Sequence, residues 1–390
     1  MIQPVRRLRR LLVLLPSAGL GGAEAHTAAL ARALAATGAS VSVAAEPSLH
    51  AGLAGLLGTA DGLHALPIGW REAEDQAGNA ARQARAAAPL LAALRPDAVL
   101  LPLPWPTHGL GLQCALGEAG TPTLAIAHLA PPEREAVPDA LARAATAGAF
   151  TWAAVSGPVA ARLAATLGLP EAAVAVVPNG VPAPPEDPAR RAGQRLARRT
   201  ALGLGPDAPL VLFAGRLEEK KGAELLPALA ERLWRDAGAT LVALGRGPLQ
   251  PRLAGHPAAG PEGPLRLLGQ VGDVADWLLA ADALVLPSRL EGCPLVFLEA
   301  AAHRCPVVAT TAALECFGEG AADLAWLVPV PTVAGLAEPL AAVLGKGAAA
   351  SARVAAAHAH AAVNNQRFML RRYFALLRAG QAGGEACQAP

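Results

Sequence analysis

Two glutamates, Glu291 and Glu299, stand eight positions apart in the sequence, where a predicted strand gives way to a predicted helix. The apolar run 283–287 is typical of a buried parallel strand, and Pro294 suits the first position of the helix that follows. Free amides at a helix start bind anions, and carboxylates bind hydroxyls, so the pattern predicts a ligand that carries both phosphate and hydroxyl groups. The structural alternative is that both carboxylates stabilise the helix N-terminus through its dipole.

A second charged segment follows the first predicted strand of the second half of the chain. Arg216 and Lys221 lie there between a glycine turn and a predicted helix, an arrangement that favours phosphate binding. The alternative is a surface turn in which Glu218 and Glu219 pair with the neighbouring lysines. Arginine is the usual cation of this chain, because only three of its 33 basic residues are lysines: Lys220, Lys221 and Lys346.

Apolar runs alternate with Ala/Leu-rich helical segments through both halves of the sequence, which predicts an α/β fold with two doubly wound parallel sheets. The predicted strands are 11–15, 41–45, 98–101, 123–127, 150–155 and 174–177, then 210–213, 240–244, 266–268, 283–286, 306–309 and 324–328. The predicted divisions are a Rossmann-like domain 1–182, a linker 183–205 with a short helix, a Rossmann-like domain 206–363, a helix 364–378 and a disordered tail 379–390.

Composition excludes several classes of protein. No apolar run approaches the roughly 20 residues that span a bilayer, and the N-terminus lacks a convincing signal peptide, which together predict a cytoplasmic protein. The net charge of +2 gives no reason to expect nucleic acid as a partner. Five widely spaced cysteines predict reduced thiols. The basic cluster Arg6, Arg7, Arg9 and Arg10 is either a solvated chain end or a weak peripheral contact with anionic lipid.

These motifs together resemble the retaining glycosyltransferases of family four. The elements that carry the resemblance stand in order: Gly215-Arg-Leu-x3-Lys-Gly222, Gly269-x-Val-x-Asp273 and Glu291-x7-Glu299. In the first half, Gly21-Gly-Ala-Glu24 resembles the family's glycine-rich loop and Val177-Pro-Asn-Gly-Val181 the close of its first domain. The resemblance covers roughly residues 11–378. It implies the GT-B fold, in which two Rossmann-like domains face a central cleft and a C-terminal helix crosses back to the first.

The resemblance also implies roles for individual residues. Arg216 and Lys221 would bind the donor diphosphate, Glu299 the ribose hydroxyls and Glu291 the transferred sugar. The remaining donor-binding positions would be the backbone at Gly292, Cys293, Pro294, Leu295 and Val296, the base-side residues Gln270 and Val271, and the loop glycines Gly21 and Gly22. His128, at the end of a predicted strand, either faces the sugar, as in many family members, or is a packed histidine.

The sequence contains no Asp-x-Asp motif, so the expected transfer needs neither a metal nor a cofactor, with the nucleotide sugar as substrate. Two segments depart from the family. The glycine pair usual after the strand 306–309 is replaced by residues 311–315, and a later Gly-x-x-Gly by residues 319–323. Cys293 lies between the signature glutamates, where packing is the simpler explanation. These departures concern the identity of the sugar rather than the binding of phosphate.

The resulting hypothesis is a retaining transfer of sugar from a UDP-sugar to an acceptor hydroxyl on a glycan or glycolipid, as in surface polysaccharide synthesis. The alternatives are a UDP-N-acetylhexosamine epimerase of the same fold and a non-catalytic partner that binds nucleotide sugar. The acceptor is not encoded in any recognisable motif. Trp105 and His108 either stack on a sugar or pack their own loop.

Overall fold

The computed structural model describes residues 8–345 and 352–386. Arg6, Arg7, Lys346 and Cys387 therefore lie outside the described residues. The chain divides into two units, the first comprising Met1–Pro178 and Met369–Pro390 and the second Asn179–Phe368. Within the described residues, none of the helices is long and apolar enough to span a membrane.

Unit 1 is built on a parallel sheet in the order β3-β2-β1-β4-β5-β6-β7. Its strands are β1 (Arg10–Leu14), β2 (Ser40–Ala45), β3 (Leu63–Ala65), β4 (Ala98–Leu103), β5 (Thr123–Ala127), β6 (Phe150–Ala154) and β7 (Val174–Val176). Its first six helices are α1 (Gly22–Ala35), α2 (His50–Leu57), α3 (Gln76–Leu94), α4 (Leu110–Glu118), α5 (Asp139–Thr146) and α6 (Gly157–Leu167). The central strands β4 and β5 are buried along their whole length, as expected of strands covered by helices on both faces.

Unit 2 is built on a second parallel sheet in the order β10-β9-β8-β11-β12-β13. Its strands are β8 (Leu210–Ala214), β9 (Thr240–Leu244), β10 (Leu265–Gly269), β11 (Ala283–Leu286), β12 (Val307–Thr310) and β13 (Trp326–Val328). Its helices are α7 (Pro188–Ala201), α8 (Leu226–Ala237), α9 (Gln250–Ala254), α10 (Val274–Ala280), α11 (Leu295–Ala302), α12 (Ala321–Leu324), α13 (Val333–Gly345) and α14 (Ala352–Val363). Both sheets have Rossmann-like strand order, so the predicted fold class is confirmed.

Most of the predicted linker 183–205 is helix α7, which packs against α10 of unit 2. Asp187 caps α7 by accepting a hydrogen bond from the Arg190 amide at 2.9 Å. Arg199 is fully buried and donates to Asp282 Oδ2 at 2.7 Å and to the Ala280 carbonyl at 2.8 Å. The arginines of the predicted linker hold this helix against the rest of unit 2, because their side chains pair with its carboxylates and carbonyls.

The last helix, α15 (Gln366–Ala386), includes the predicted helix 364–378 from Gln366 onward and carries an amphipathic stripe. Met369, Tyr373 and Leu377, spaced four apart, are 2%, 0% and 6% exposed. The Tyr373 hydroxyl donates to the Val177 carbonyl at 3.3 Å, and both residues belong to unit 1. The helix continues through Ala386, so the prediction that a disordered tail begins at 379 was wrong. Once a helix is established, each further residue adds a backbone hydrogen bond, which offsets the weak propensity of the glycines there.

At the other end of the chain, Asp97 binds the start of β1. Its Oδ2 accepts hydrogen bonds from the Arg9 and Arg10 amides at 2.9 and 2.8 Å, and Arg10 also pairs with Oδ1 at 3.6 Å. Arg9 and Arg10, the two members of the basic cluster that the structure describes, therefore hold the first strand against the segment before β4. Four cysteines in the described part of the chain are free thiols: Cys114, Cys293, Cys305 and Cys316.

Candidate functional site

The strand order of unit 2 reverses between β8 and β11, which places a topological switch point where these two neighbours end. Open α/β sheets bind ligands at this point, beyond the carboxyl ends of the strands. The segment after β8 carries Arg216 and Lys221, and the segment after β11 carries Glu291 and leads into α11 with Glu299. The two motifs singled out in the sequence are therefore adjacent in the fold.

Lys221 and Glu291 form the central contact of this site. Lys221 Nζ lies 2.6 Å from Glu291 Oε1, and the two side chains are 25% and 11% exposed. Ser288 Oγ donates to the same carboxylate oxygen at 2.8 Å. The alternative of a surface turn is not what the structure shows for Lys221, since its partner comes from the next strand rather than from Glu218 or Glu219. Arg216 is half exposed, with Nε 3.8 Å from Glu218 Oε2.

Gly222 allows the two loops to meet. Its φ is +69°, and a Cβ added there would lie 2.3 Å from the Pro287 carbonyl oxygen. An L side chain would be strained by the backbone angle and would also collide with the end of β11. The Arg289 amide donates to the Lys220 carbonyl at 2.8 Å, which joins the same loops a few residues further on. Together these contacts hold Lys221 beside Glu291.

Glu299 lies on the second turn of α11. Burial raises the pKa of its carboxyl from 4.5 to about 7. No hydrogen bond or ion pair to this carboxylate occurs among the described residues. Neither signature glutamate occupies the first turn of α11, and no side chain caps the helix, so the helix-dipole alternative does not account for them. The side chain is half-buried, so the carboxylate loses part of its hydration without gaining a partner, and a hydrogen bond from a ligand hydroxyl would offset that cost.

The start of α11 exposes unsatisfied amides. Pro294 is the N-cap rather than the first helical residue, and its side chain makes no capping hydrogen bond. The amides of Leu295 and Val296 therefore have no partner within the helix. Gly292 and Cys293 are buried before it, and Asn179 Nδ2 donates to the Cys293 carbonyl at 2.7 Å. This hydrogen bond fixes the loop from which the amides point.

Gln270 and Val271 follow β10, the edge strand of the same sheet. Gln270 is exposed and Val271 is half-buried. Strands β9 and β8 separate them from β11, so they share the carboxyl edge of the sheet with Glu299 but are not brought into contact with it.

The segment that departs from the family pattern forms a kinked 3-10 helix, Ala312–Gly320. Thr310 connects it to the site, because its hydroxyl donates to the Ser288 carbonyl and accepts from the Ala313 amide at 3.0 Å. Cys316 also contacts Cys293, and this thiol hydrogen bond together with burial raises the pKa of Cys316 well above its usual range. Cys293 is 6% exposed and packs against this segment.

Unit 1 has its own cluster at the corresponding edge of its sheet. His128 follows β5 and its amide donates to the Leu103 carbonyl at 2.9 Å. Its ring lies edge-on to that of His26, with centroids 4.8 Å apart, and His26 also contacts Tyr373. Burial lowers the pKa of His26 to about 4, and burial with the neighbouring His26 lowers the pKa of His128 well below 6.5. Both imidazoles are therefore neutral at pH 7.

The predicted glycine loop begins α1 beside that cluster. Gly21 is the N-cap of α1 and has an extended backbone, and Gly22 is the first helical residue. A Cβ at Gly21 would make only ordinary contact, 3.5 Å from Glu24 Oε2. The protein itself therefore does not require glycine at Gly21. Glu24 is 4% exposed and accepts a hydrogen bond from the Ser17 hydroxyl.

Four residues of these clusters were missed by sequence reasoning: Asn179, Ser288, Thr310 and His26. Asn179 was expected at the close of the first domain, although it belongs to unit 2 and its Oδ1 is buried without a partner in the described structure. Ser288 and Thr310 follow predicted strands, a position that could have marked them. His26 lies two residues after the glycine-loop glutamate, on a helix face that the sequence alone gives no reason to single out.

Comparisons with known proteins agree with this architecture. Residues 20–183 match the family model described as Glycosyltransferase Family 4, and residues 208–346 match that described as Glycosyl transferases group 1. Each half of the chain is thus similar to a glycosyltransferase family, and the two halves together have the GT-B fold. A similar relative is the D-inositol 3-phosphate glycosyltransferase of Streptomyces griseus, 39% identical over 166 residues that cover 35% of this chain and 34% of that protein. This GT-B chain spans about a third of the length of the curated relatives it matches.

Solved structures share the GT-B fold over nearly the whole chain. A glycosyltransferase from Rickettsia africae has a TM-score of 0.72 at 16% identity, covering 95% of this chain and 98% of that one. HepE of Anabaena, solved in complex with UDP, has a TM-score of 0.67 at 18% identity, covering 97% of this chain and 100% of that one. At these identities the likeness establishes the fold alone.

Proposed function

We propose that this protein is a retaining glycosyltransferase that moves a sugar from a nucleoside diphosphate sugar, in the first instance a UDP-sugar, to an acceptor hydroxyl. The observation that carries the proposal is the contact of Lys221 with Glu291 at the β8/β11 switch point, beside the uncapped start of α11 and the half-buried Glu299. The site combines cations, free amides and carboxylates, which are the groups that a diphosphate and a hydroxylated ligand need.

In this proposal Arg216 and Lys221 bind the diphosphate, and the amides of Leu295 and Val296 add to the positive potential. The bond between the anomeric carbon and the phosphate oxygen breaks, so negative charge develops on the departing diphosphate. Cations and dipoles placed there stabilise the transition state, commonly the largest contribution in such a site. They would take the place of a metal ion. The acceptor oxygen bonds to the same face of the carbon, and its proton passes to the departing phosphate.

The carboxylates have separate roles in the proposal. Glu299 binds the ribose hydroxyls, and the hydrogen bonds it accepts compensate for its burial. Glu291 already binds Lys221 and Ser288. It therefore holds the lysine in position and offers its second oxygen to a hydroxyl of the transferred sugar. His128, neutral through burial, would accept from or donate to a sugar hydroxyl without adding charge.

The test compares two neighbouring lysines. Lys221→Ala should reduce sugar transfer or donor hydrolysis by roughly 10²–10³-fold, since one charge-stabilising group is lost. Lys220→Ala is the matched control, because Lys220 is exposed while Lys221 is half-buried. Glu299→Ala should also abolish most turnover. Equal rates for the Lys221 and Lys220 variants, with both folded by circular dichroism, would assign the diphosphate site elsewhere.

The products identify the reaction. A thermal-shift screen with UDP-, GDP- and ADP-sugars first selects the donor, because a bound ligand stabilises by RT ln(1 + [L]/Kd). Incubation with that donor alone should release nucleoside diphosphate and free sugar slowly. An epimeric nucleotide sugar would instead support an epimerase. If the protein binds the donor but neither hydrolyses it nor transfers its sugar to any acceptor in a panel of glycans and glycolipids, a non-catalytic nucleotide-sugar-binding protein would be supported.

A further inference from the structure

A cluster of aromatic and carboxylate side chains in unit 1 lies outside the site described above. It comprises Trp70, Trp105, Thr107, His108 and Glu135, and is called here the tryptophan patch. Trp105, Thr107 and His108 follow β4, Trp70 follows β3, and Glu135 lies in the loop after β5. The sequence has only six tryptophans, and two of them lie here on either side of the contacts that His108 makes.

The rings of the tryptophan patch are held in fixed positions. Trp70 and His108 stack with centroids 4.6 Å apart and an interplanar angle of 7°, and Trp105 lies 6.2 Å from His108 at a tilt of 35°. Trp105 Nε1 donates to Glu135 Oε1 at 2.6 Å, and the buried Thr107 hydroxyl donates to Glu135 Oε2 at 2.8 Å. Glu135 is thus oriented by two donors, one on each oxygen.

A buried glutamine supports the patch from beneath. Gln83 of α3 is 1% exposed, and its Nε2 donates to the Ile68 carbonyl at 2.9 Å and to the His108 carbonyl at 2.6 Å. It therefore joins the loop that carries Trp70 to the loop that carries His108. The Trp70 amide also donates to the Pro16 carbonyl, 3.2 Å away, directly after β1. The patch lies at the end of β1 and β4, the switch point of this sheet.

The groups that remain accessible define the ligand class. Trp70, Trp105, His108 and Glu135 are all partly exposed. One face of the Trp70 ring is occupied by His108, and the accessible part of each indole offers apolar contact area to the C–H face of a sugar ring. A carboxylate has about four acceptor sites, so each Glu135 oxygen keeps capacity for a ligand hydroxyl. Its negative charge disfavours a phosphate. The combination fits a neutral sugar rather than the diphosphate of a donor.

We infer that the tryptophan patch is the subsite for a sugar residue of the acceptor, with Trp70 and Trp105 as stacking surfaces and Glu135 as the hydroxyl acceptor. The inference rests on the proposed transferase function and specifies its acceptor as a glycan, or the glycan part of a glycolipid. His128 follows the neighbouring strand β5, and its amide donates to the carbonyl of Leu103, the last residue of β4. A sugar on the patch therefore lies beside the histidine proposed to face the transferred sugar.

The test uses saturation-transfer NMR on the full chain with methyl α-glucoside, methyl β-galactoside and methyl α-mannoside as probes. At least one glycoside should receive saturation on its ring protons from the wild-type protein. Trp70→Ala and Glu135→Gln should each weaken that binding about tenfold, as expected for truncation of a binding anchor. Trp105→Phe, which keeps a ring but loses the donor to Glu135, should weaken it as well.

Trp234→Ala is the matched control, because Trp234 is a 44% exposed tryptophan on α8 of unit 2 and should leave glycoside binding unchanged. Unchanged binding in the Trp70 and Glu135 variants, or no saturation transfer to any of the three glycosides in the wild type, would overturn the inference. Thermal stabilisation by UDP, measured on the same samples, reports the donor site separately. Loss of glycoside binding with UDP stabilisation retained supports the subsite, whereas a wild type that does not bind UDP contradicts the proposed function instead.

Discussion

Glu291 and Glu299 differ in environment although their sequence spacing suggests a pair. Both are half-buried, but Glu291 is bound by Lys221 and Ser288, whereas the Glu299 carboxylate has no partner among the described residues. The sequence indicated which residues gather, because each follows a predicted strand of one sheet. It could not indicate that Lys221 would pair with Glu291 rather than with its neighbours Glu218 and Glu219, since that depends on which strands are adjacent and how closely their loops approach.

The raised pKa of Glu299 predicts a pH-dependent stability. Between pH 4.5 and about 7 the folded state retains a proton that the unfolded state has lost, so the free energy of unfolding falls as pH rises through this window. Glu299→Gln cannot ionise. It should match the wild type near pH 4.5 and be more stable by up to about 3 kcal/mol at pH 8.

Urea denaturation at both pH values measures this difference. Glu231→Gln, on the exposed side of α8, is the control for removing a carboxylate and should show no such trend. A Glu299→Gln variant that gains nothing at pH 8 would mean that the carboxyl is not destabilised by burial.

Among the elements, twelve of the thirteen strands in the described structure were predicted from apolar runs. The exception, β3, has three residues, none of them fully buried, and lies at the edge of its sheet. Such a strand leaves no apolar run to detect. Helix α7 fell largely within the predicted linker, and the carboxylates that its arginines bind could not be identified because they lie at least 75 residues away in the sequence. The loop after β8 was located correctly, but its contact with Pro287 depends on three-dimensional packing.

Two glycines of unit 2 provide a matched test of that packing. Gly222 and Gly238 both have positive φ, +69° and +61°, but only Gly222 would place a Cβ against another loop. Gly238→Ala should cost about 1 kcal/mol, the backbone strain alone. Gly222→Ala should cost on the order of 3 kcal/mol, because the clash with Pro287 adds to the strain.

Thermal unfolding with and without UDP measures both effects. The Gly222 variant should lose stabilisation by UDP, since Lys221 and Glu291 would be pushed apart, while the Gly238 variant keeps it. Equal behaviour of the two variants would mean that the loops need not meet for nucleotide to bind.

For the whole molecule, the two units differ in how the chain builds them. Unit 2 is one continuous segment, whereas unit 1 takes its last helix from the far end of the sequence. The amphipathic stripe of α15 indicated that it packs on something. The sequence did not specify the surface, because a stripe of Met369, Tyr373 and Leu377 fits many apolar faces.

This division predicts different fates for fragments. Residues 179–368 should fold alone. Residues 1–178 should lose most of their stability, because the buried side chains of Met369, Tyr373 and Leu377 are missing. Burial of these three side chains contributes roughly 5 kcal/mol, and the free energy of unfolding of a typical domain is only about 5–15 kcal/mol.

Urea unfolding of each fragment tests this expectation. A peptide of residues 364–386 should restore stability to fragment 1–178, and the same peptide with Tyr373→Ala should not. A fragment 1–178 that is already stable without the peptide would show that α15 adds little to unit 1.

The return of α15 to unit 1 also has a consequence for synthesis of the chain. Ribosomes release the N-terminal segment first, and at ~5–20 residues per second the residues up to 369 need tens of seconds to follow. During that interval the groove over His26 and Val177 has no Tyr373 to fill it. The unit that begins the chain is thus the last to be completed, and a chain that stops before residue 369 would present the uncovered contacts of Tyr373 to chaperones and proteases.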